Sequence, residues 1–254
     1  MFTVRIARPS GLAFAVLLGL LAGPTLAAAP KTMAPKATAP KTPSGLEIRQ
    51  AEQRLADLGY WVGSGSGPID GRMDEVFRGA LIAFQKIDGR KATGQLTRRD
   101  LTALARAVPP LPRETGPAHI EVDLVRQVLF FVDNQGKVAH ILPVSSGSGK
   151  NFHEAGYPET HAVTPCGHLE VFEKAAGWKK SPLGEMFNPL YIVGGIAIHG
   201  SLDVPAYPAS HGCIRVPMFA AQKLPQMVPM KTPVLVYGCR DEAAPIPVMA
   251  SAAR

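Results

Sequence analysis

Cysteine is scarce in this chain: three residues in 254. That is too few for a miniprotein held together by disulfides, and the length is enough to bury a core of its own. Acid is missing from the start. Before Leu46 stand five basic residues (Arg5, Arg8, Lys31, Lys36 and Lys41) and no Asp or Glu. The whole chain carries 27 Lys+Arg against 20 Asp+Glu, so the part beyond Lys41 carries 22 − 20 = +2. A foldable part so near neutral excludes a basic nucleic-acid groove. Long apolar runs are also lacking. Gly11–Leu21 has eleven residues, where a membrane-spanning helix needs roughly 20, and no later segment is long and apolar enough to span a bilayer. Wholesale disorder is excluded by a 46% apolar content.

The order of what is present is informative. Arg5 and Arg8, the short apolar run, Pro24 and the small residues up to Ala29 read as a secretory signal peptide over residues 1–29. The mature protein is then expected outside the cytoplasm, in the periplasm or cell-wall space, as a soluble monomer. Residues 30–45 carry a repeated Ala-Pro-Lys, a composition that favours extended polyproline II and reads as a linker.

Residues 46–107 read as a small three-helix bundle. Ile48, Ala51, Leu55 and Leu58 share one helical face, and Val76, Ala80, Ala83, Phe84 and Ile87 share another. The glycine-rich stretch from Gly59 to Gly71 must be a loop, and Thr97 with Asp100 makes a capping pair for a third helix. This bundle offers no nucleophile and no metal cluster, which leaves it binding or spacing. A proline-rich break at 108–117 marks a domain boundary.

From residue 118 to 238 the period becomes two. Strands are expected around Ile120–Leu124, Val128–Val132, Val138–Val144, His168–Phe172, Leu190–Ile198 and Val234–Tyr237, with a helix over Met218–Leu224. The expected architecture is a mainly-β sandwich or partly closed barrel. The tail 241–254, rich in Ala and Pro, reads as disordered.

Chemistry concentrates at His199 and Cys213. A strand ending in His-Gly, a loop and a turn carrying Cys can bring imidazole and thiol together, and a neighbouring His stabilises a thiolate. Gly212 lets backbone approach closely, so amides around Gly212 and Cys213 are candidates for an oxyanion cradle. Arg215 is suited to gripping a carboxylate. Three cysteines in an exported chain leave one unpaired. The preferred bridge is Cys166–Cys239, which joins two predicted strand ends and spares Cys213; three free thiols remain the alternative. Zinc is a weak competitor, since His211 and Cys213 point apart on a tight turn and a fourth ligand is not obvious; neither metal nor cofactor is expected. Ser145–Lys150 mimics a phosphate loop but lacks its first glycine and its Ser/Thr, and reads instead as a hairpin turn. Trp178, Phe187, Asn188 and Tyr191 read as core or as a lid.

Two resemblances sharpen this. Leu58-Gly-Tyr60, Ile69-Asp-Gly71, Ala83-Phe-Gln85 and Thr93-Gly94 are similar, in order, to the peptidoglycan-binding domain type 1. Ser210-His-Gly-Cys-Ile-Arg215 preceded by Ile198-His-Gly200 closely resembles the signature of the L,D-transpeptidase (YkuD) catalytic domain, supported by Val122-Asp-Leu124, Gln127-Val-Leu129, Pro143–Gly147 and Thr164–Gly167. The resemblance implies a Cys213 nucleophile, His199 as general base and acid, and Ser210, His211, Gly212 and Arg215 completing the turn, with Tyr191 a candidate substrate contact. It implies 3→3 cross-linking of peptidoglycan stem peptides through a thioester. An L,D-carboxypeptidase, a protein-to-peptidoglycan attachment enzyme and a non-catalytic wall binder are the alternatives.

Overall fold

The structure, a computed structural model, describes residues 42–63, 69–153 and 159–239. The expected signal peptide and tail lie outside these residues, as does most of the expected linker.

Three helices open the described chain: α1 (Gly45–Asp57), α2 (Glu75–Ile87) and α3 (Arg98–Arg106). Each starts where a side chain can take up an unpaired backbone N–H. Ser44 and Glu47 form a capping box on α1, Asp74 caps α2, and Thr97 with Asp100 forms the capping box on α3. The peptidoglycan-binding motifs meet inside this module as braces. Gln85 Oε1 accepts the amides of Thr93 and Gly94 at 2.8 and 2.9 Å. Glu52 accepts the amide of Gly71 at 3.0 Å.

The β region runs β1 (His119–Asp123), β2 (Val128–Val132), β3 (Val138–Pro143), β4 (Asn151–Phe152), β5 (Thr160–His161) and β6 (Gly167–Glu170). It continues through β7 (Glu173–Lys174), β8 (Trp178–Ser181), β9 (Gly184–Val193), β10 (Ile196–Gly200) and β11 (Ile214–Val216). Two one-turn helices, α4 (Met218–Ala221) and α5 (Leu224–Met227), precede β12 (Pro233–Tyr237). One sheet has the order β3-β2-β1-β12-β6; the other has β11-β10-β9-β7, with β8 also paired to β9. Their facing sides fill one core, with Ile120, Val122, Leu129 and Val234 from the first sheet against Leu190, Ile192, Ile198 and Ile214 from the second.

Two sequence expectations need correction. Leu190–Ile198 is not one strand: Gly194, at φ +50°, turns the chain between β9 and β10. The apolar residues on either side masked the Gly194-Gly195 pair, and one glycine in the left-handed region is enough to turn the chain. The helix expected over Met218–Leu224 breaks into α4 and α5, with Pro225 at the start of the second.

The proline-rich segment 108–117 connects α3 to β1, but the helices and the sandwich do not form separate bodies. Val128 and Phe130 of β2, with Val138 and Ile141 of β3, join Leu55, Phe77, Leu81 and Phe84 of the helices in a second core. Leu129 and Phe131 face the inter-sheet core. This explains the solid apolar run Val128-Leu-Phe-Phe-Val132: with helices on one face and the second sheet on the other, no position of β2 meets water. Trp61, donated by the helical module, inserts into the inter-sheet core beside Phe131 and Phe219, and its amide bonds to the Ile141 carbonyl at 3.1 Å.

Candidate active site

β10 and β11 run parallel, with Ile198 opposite Ile214 and His199 opposite Arg215. Ile198, Ile214 and Val216 point into the inter-sheet core. By the two-residue alternation of strands, His199 and Arg215 therefore share the opposite face. Cys213 lies just ahead of β11 on that same face. The Arg215 charge acts on both Cys213 and His199. Tyr191 of β9 pairs with Ala197 of β10 and continues the row across the sheet. Cys213, His199, Arg215 and Tyr191 thus belong to one surface.

Imidazole orientation comes from the backbone. His199 is buried, and its Nδ1–H donates to the Gly200 carbonyl at 2.9 Å, which leaves Nε2 as the unprotonated nitrogen. Gly200 holds β10 against α4: a Cβ there would stand 2.6 Å from Ala221 Cβ and 3.1 Å from Met218 Sδ. Burial, with the Arg215 guanidinium adding to it, lowers the imidazole from 6.5 to about 4 against the opposing pull of the Gly200 carbonyl.

The half-buried Cys213 is the free thiol, while Cys166 and Cys239 are bonded to each other. Its Sγ lies 3.7 Å from the Gly195 carbonyl and 3.9 Å from Met186 Sδ. Burial pushes the thiol up, and a backbone bond from Ala197 and the charge of Arg215 pull it partly back. The two groups therefore rest neutral near pH 7, as thiol and imidazole. Burial thus works against the thiolate that a neighbouring His favours.

The turn that presents Cys213 is fixed from several sides. Ser210 Oγ donates to the Cys213 carbonyl and accepts the Gly212 amide at 3.0 Å. Thr164 Oγ1 donates to the Gly212 carbonyl at 2.6 Å and accepts the Gly147 amide at 2.9 Å. Gly212 sits at φ +139°, and a Cβ there would lie 2.6 Å from Ile196 Cδ1. With its N–H already engaged by Ser210, Gly212 shapes the turn, and its amide is not the oxyanion donor the sequence suggested. Arg215 exchanges backbone bonds with Ser145 at 3.0 and 3.1 Å, and its Nη1 lies 3.6 Å from Asp203 Oδ2. Ser145–Gly147 is not a hairpin turn: it bridges to Arg215 and Ser210 and so cradles the cysteine turn.

His211 lies apart from this arrangement. It is exposed and packs edge-on to Phe152, with ring centroids 4.7 Å apart. Asn188, at φ +47°, braces β9 by donating to the Ala221 carbonyl at 3.0 Å. Trp178 packs on Phe187 with centroids 5.2 Å apart. Among the described residues, no three His, Cys, Asp or Glu side chains gather as metal ligands. Thr164, Gln127 and Ser146 were not singled out from the sequence as site residues. Their signal was present in Gln127-Val-Leu129, Pro143–Gly147 and Thr164–Gly167, segments whose roles only the folded contacts reveal.

A family model of the L,D-transpeptidase catalytic domain matches residues 117–236, and one of a peptidoglycan-binding domain matches residues 44–104. Among solved structures, the L,D-transpeptidase (residues 123–326) of Xylanimonas cellulosilytica is 35% identical, with a TM-score of 0.71, over 80% of this chain and 100% of that one. This chain belongs to the L,D-transpeptidase family. A second L,D-transpeptidase structure, from Stackebrandtia nassauensis, is 23% identical over 80% of this chain and 98% of that one, at a TM-score of 0.44. A search of curated proteins returns no match. Membership makes the protein a cell-wall enzyme of an acyltransferase family, with a mainly-β domain and a helical N-terminal region. No described helix is long and apolar enough to cross a membrane.

Proposed function

We propose that this L,D-transpeptidase-family protein forms 3→3 peptidoglycan cross-links by two acyl transfers through Cys213. The observation that carries the reading is a lone free thiol on the same sheet face as a buried imidazole whose Nδ1–H is tied to Gly200. In the first step His199 Nε2 takes the thiol proton as Sγ attacks the carbonyl carbon of the stem's third residue. The C–N bond to the terminal D-Ala breaks, and the departing nitrogen takes the proton from the imidazolium. In the second step the side-chain amine of another stem attacks the thioester. The C–S bond breaks, the amine gives up a proton to His199, and the thiolate is reprotonated. Arg215, whose guanidinium among the described residues pairs with the exposed Asp203 at 3.6 Å, can exchange Asp203 for a stem carboxylate. Tyr191, one strand over, lines the approach.

Intact-mass measurement after incubation with a defined tetrapeptide stem tests this. An adduct equal to the stem less D-Ala is expected on the native chain and none on Cys213→Ala. His199→Ala loses turnover across the pH range; retained turnover would move the base role to His211. Because the imidazole is lowered to about 4, the acid limb of the rate profile is expected near that pH. Cross-linked stems as product support the transferase, whereas tripeptide alone would make the enzyme a carboxypeptidase.

A further inference from the structure

Lys86 lies in the last turn of α2, within the segment matched as peptidoglycan-binding, yet its side chain points away from solvent into the β domain. It is 9% exposed, and Nζ donates to the carbonyls of Gln127 and Val144, both at 2.9 Å. These carbonyls sit where β2 begins and β3 ends. Among the described residues, Gln127 is one of three non-glycine residues with positive φ, at +58°. That conformation costs energy and persists only when surrounding contacts over-determine it. Lys86 supplies one such contact from another part of the chain. The Val144 amide supplies another, donating to the same Gln127 carbonyl at 2.9 Å.

From Gln127 the bonds lead directly to the cysteine turn. Its side-chain amide is fully engaged: Nε2 donates to Ser146 Oγ and to the Leu124 carbonyl at 2.7 Å each, and Oε1 accepts the Ser146 amide at 2.9 Å. The Ser146 carbonyl in turn accepts the amides of Ala209 and Ser210 at 3.0 and 2.9 Å. Ser210 Oγ then holds the Gly212 amide and the Cys213 carbonyl. Lys86, Gln127, Ser146 and Ser210 are all buried, so every link lies where an unmade bond is expensive. The cysteine turn therefore inherits its position from a lysine of the helical module.

We infer that Lys86 is a positioning residue for Cys213, acting through Gln127, Ser146 and Ser210, so that α2 is part of the apparatus that sets the nucleophile. The inference deepens the reading of Cys213 as nucleophile and rests on it for its kinetic consequence. It also makes a claim about the thiol that holds whatever the substrate.

A lysine that only satisfied the interface would affect stability alone; one that positions the thiol must change how the sulfur reacts. The test compares the native chain with Lys86→Met and Ser146→Ala, with Lys91→Met as an exposed-lysine control, all well below their melting temperatures. The first readout is the pH profile of Cys213 alkylation by iodoacetamide, clean because the other two cysteines are bonded. Lys86→Met and Ser146→Ala are each expected to move the apparent titration of the thiol by half a pH unit or more, toward that of an ordinary exposed cysteine, while Lys91→Met leaves it in place. The second readout is turnover of a tetrapeptide stem, where kcat falls about tenfold and KM stays within twofold. The Lys86→Met/Ser146→Ala double variant should lose no more than the larger single loss, the signature of one shared chain. An unchanged alkylation profile in folded Lys86→Met overturns the proposal, whatever Ser146→Ala shows. If Lys86→Met fails to fold, Lys86→Gln decides by the same criterion. A shifted alkylation profile in a protein whose native form makes no stem adduct would uphold the positioning role and sink the proposed function.

Discussion

Replacing Lys86 by methionine should flatten the alkaline side of the protein's stability profile. Burial alone lowers this ammonium from its ordinary 10.5 to about 7. The geometry accounts for the direction: an ammonium has three N–H donors and faces two carbonyls, while the neutral amine has two donors and matches them. In the unfolded chain the lysine keeps its proton until about pH 10.5, so between 7 and 10.5 the unfolded state binds more protons and stability rises with pH. The stabilisation is complete above 10.5 and is lost as pH falls through about 7. At about 1.4 kcal/mol per unit, two units of that interval give roughly 2.7 kcal/mol between pH 6 and pH 9. For a folded body of this size that is roughly 6–10 °C in melting temperature. Urea unfolding at pH 6 and pH 9 measures it, with Cys213→Ser present in both proteins so that no free thiol attacks the disulfide at high pH. The stability gap between the chain that keeps Lys86 and the Lys86→Met variant should widen by about 2–3 kcal/mol from pH 6 to pH 9. A gap of equal size at both pH values would show that Lys86 keeps its proton in the fold and would refute the argument.

Two further outcomes follow from the turn and the bridge. Gly212→Ala places a methyl 2.6 Å from Ile196 Cδ1 and 3.0 Å from the Val163 carbonyl at φ +139°; a destabilisation of about 1–3 kcal/mol and loss of the stem adduct are expected by urea unfolding and intact mass. Reducing Cys166–Cys239 opens a loop of 73 positions, and chain entropy for that length predicts a loss of roughly 4 kcal/mol, visible as a lower urea midpoint under reductant with Cys213→Ser present.

Much of the fold was legible because local chemistry and tertiary context agree. The capping pair Thr97 and Asp100 and the apolar alternation of Ile120 and Val122 in β1 depend on neighbours a few residues away. Residue types and spacing drew attention to Cys213 and His199, and the resemblance sharpened their expected roles. Beyond the preferred Cys166–Cys239 bridge, which the structure contains, the sequence did not supply relations between distant segments. Lys86 reads as an ordinary polar residue beside Ile87 on an amphipathic helix; only the packing of α2 on β3 shows that its outward face is covered. Gln127 reads as a strand-initial polar residue, and nothing in its neighbours announces a positive φ. The burial that opposes ionisation of the pair was hidden for the same reason. Proximity of His to Cys suggests a thiolate, but burial of both groups is a property of the whole sheet.

That neutrality shapes how the proposed reaction must run. An imidazole lowered to about 4 and a thiol held above its ordinary value make the ion pair the minor form at neutral pH, so attack draws on a proton transfer that is uphill in the empty site. The same burial strengthens any charge attraction within it, because the screening by water that weakens such forces is reduced. An imidazolium formed next to a thiolate, or next to the oxyanion of a tetrahedral intermediate, is therefore held more firmly here than at an exposed surface. Proton transfer and carbon–sulfur bond formation are then best accomplished together, once a stem peptide fills the face bounded by Met186, Gly195 and Tyr191. Such a site relies on placement more than on a pre-ionised nucleophile: a sulfur displaced by a fraction of an ångström loses both its base and its electrophile. The buried chain from α2 to Ser210 supplies the rigidity that this kind of chemistry requires.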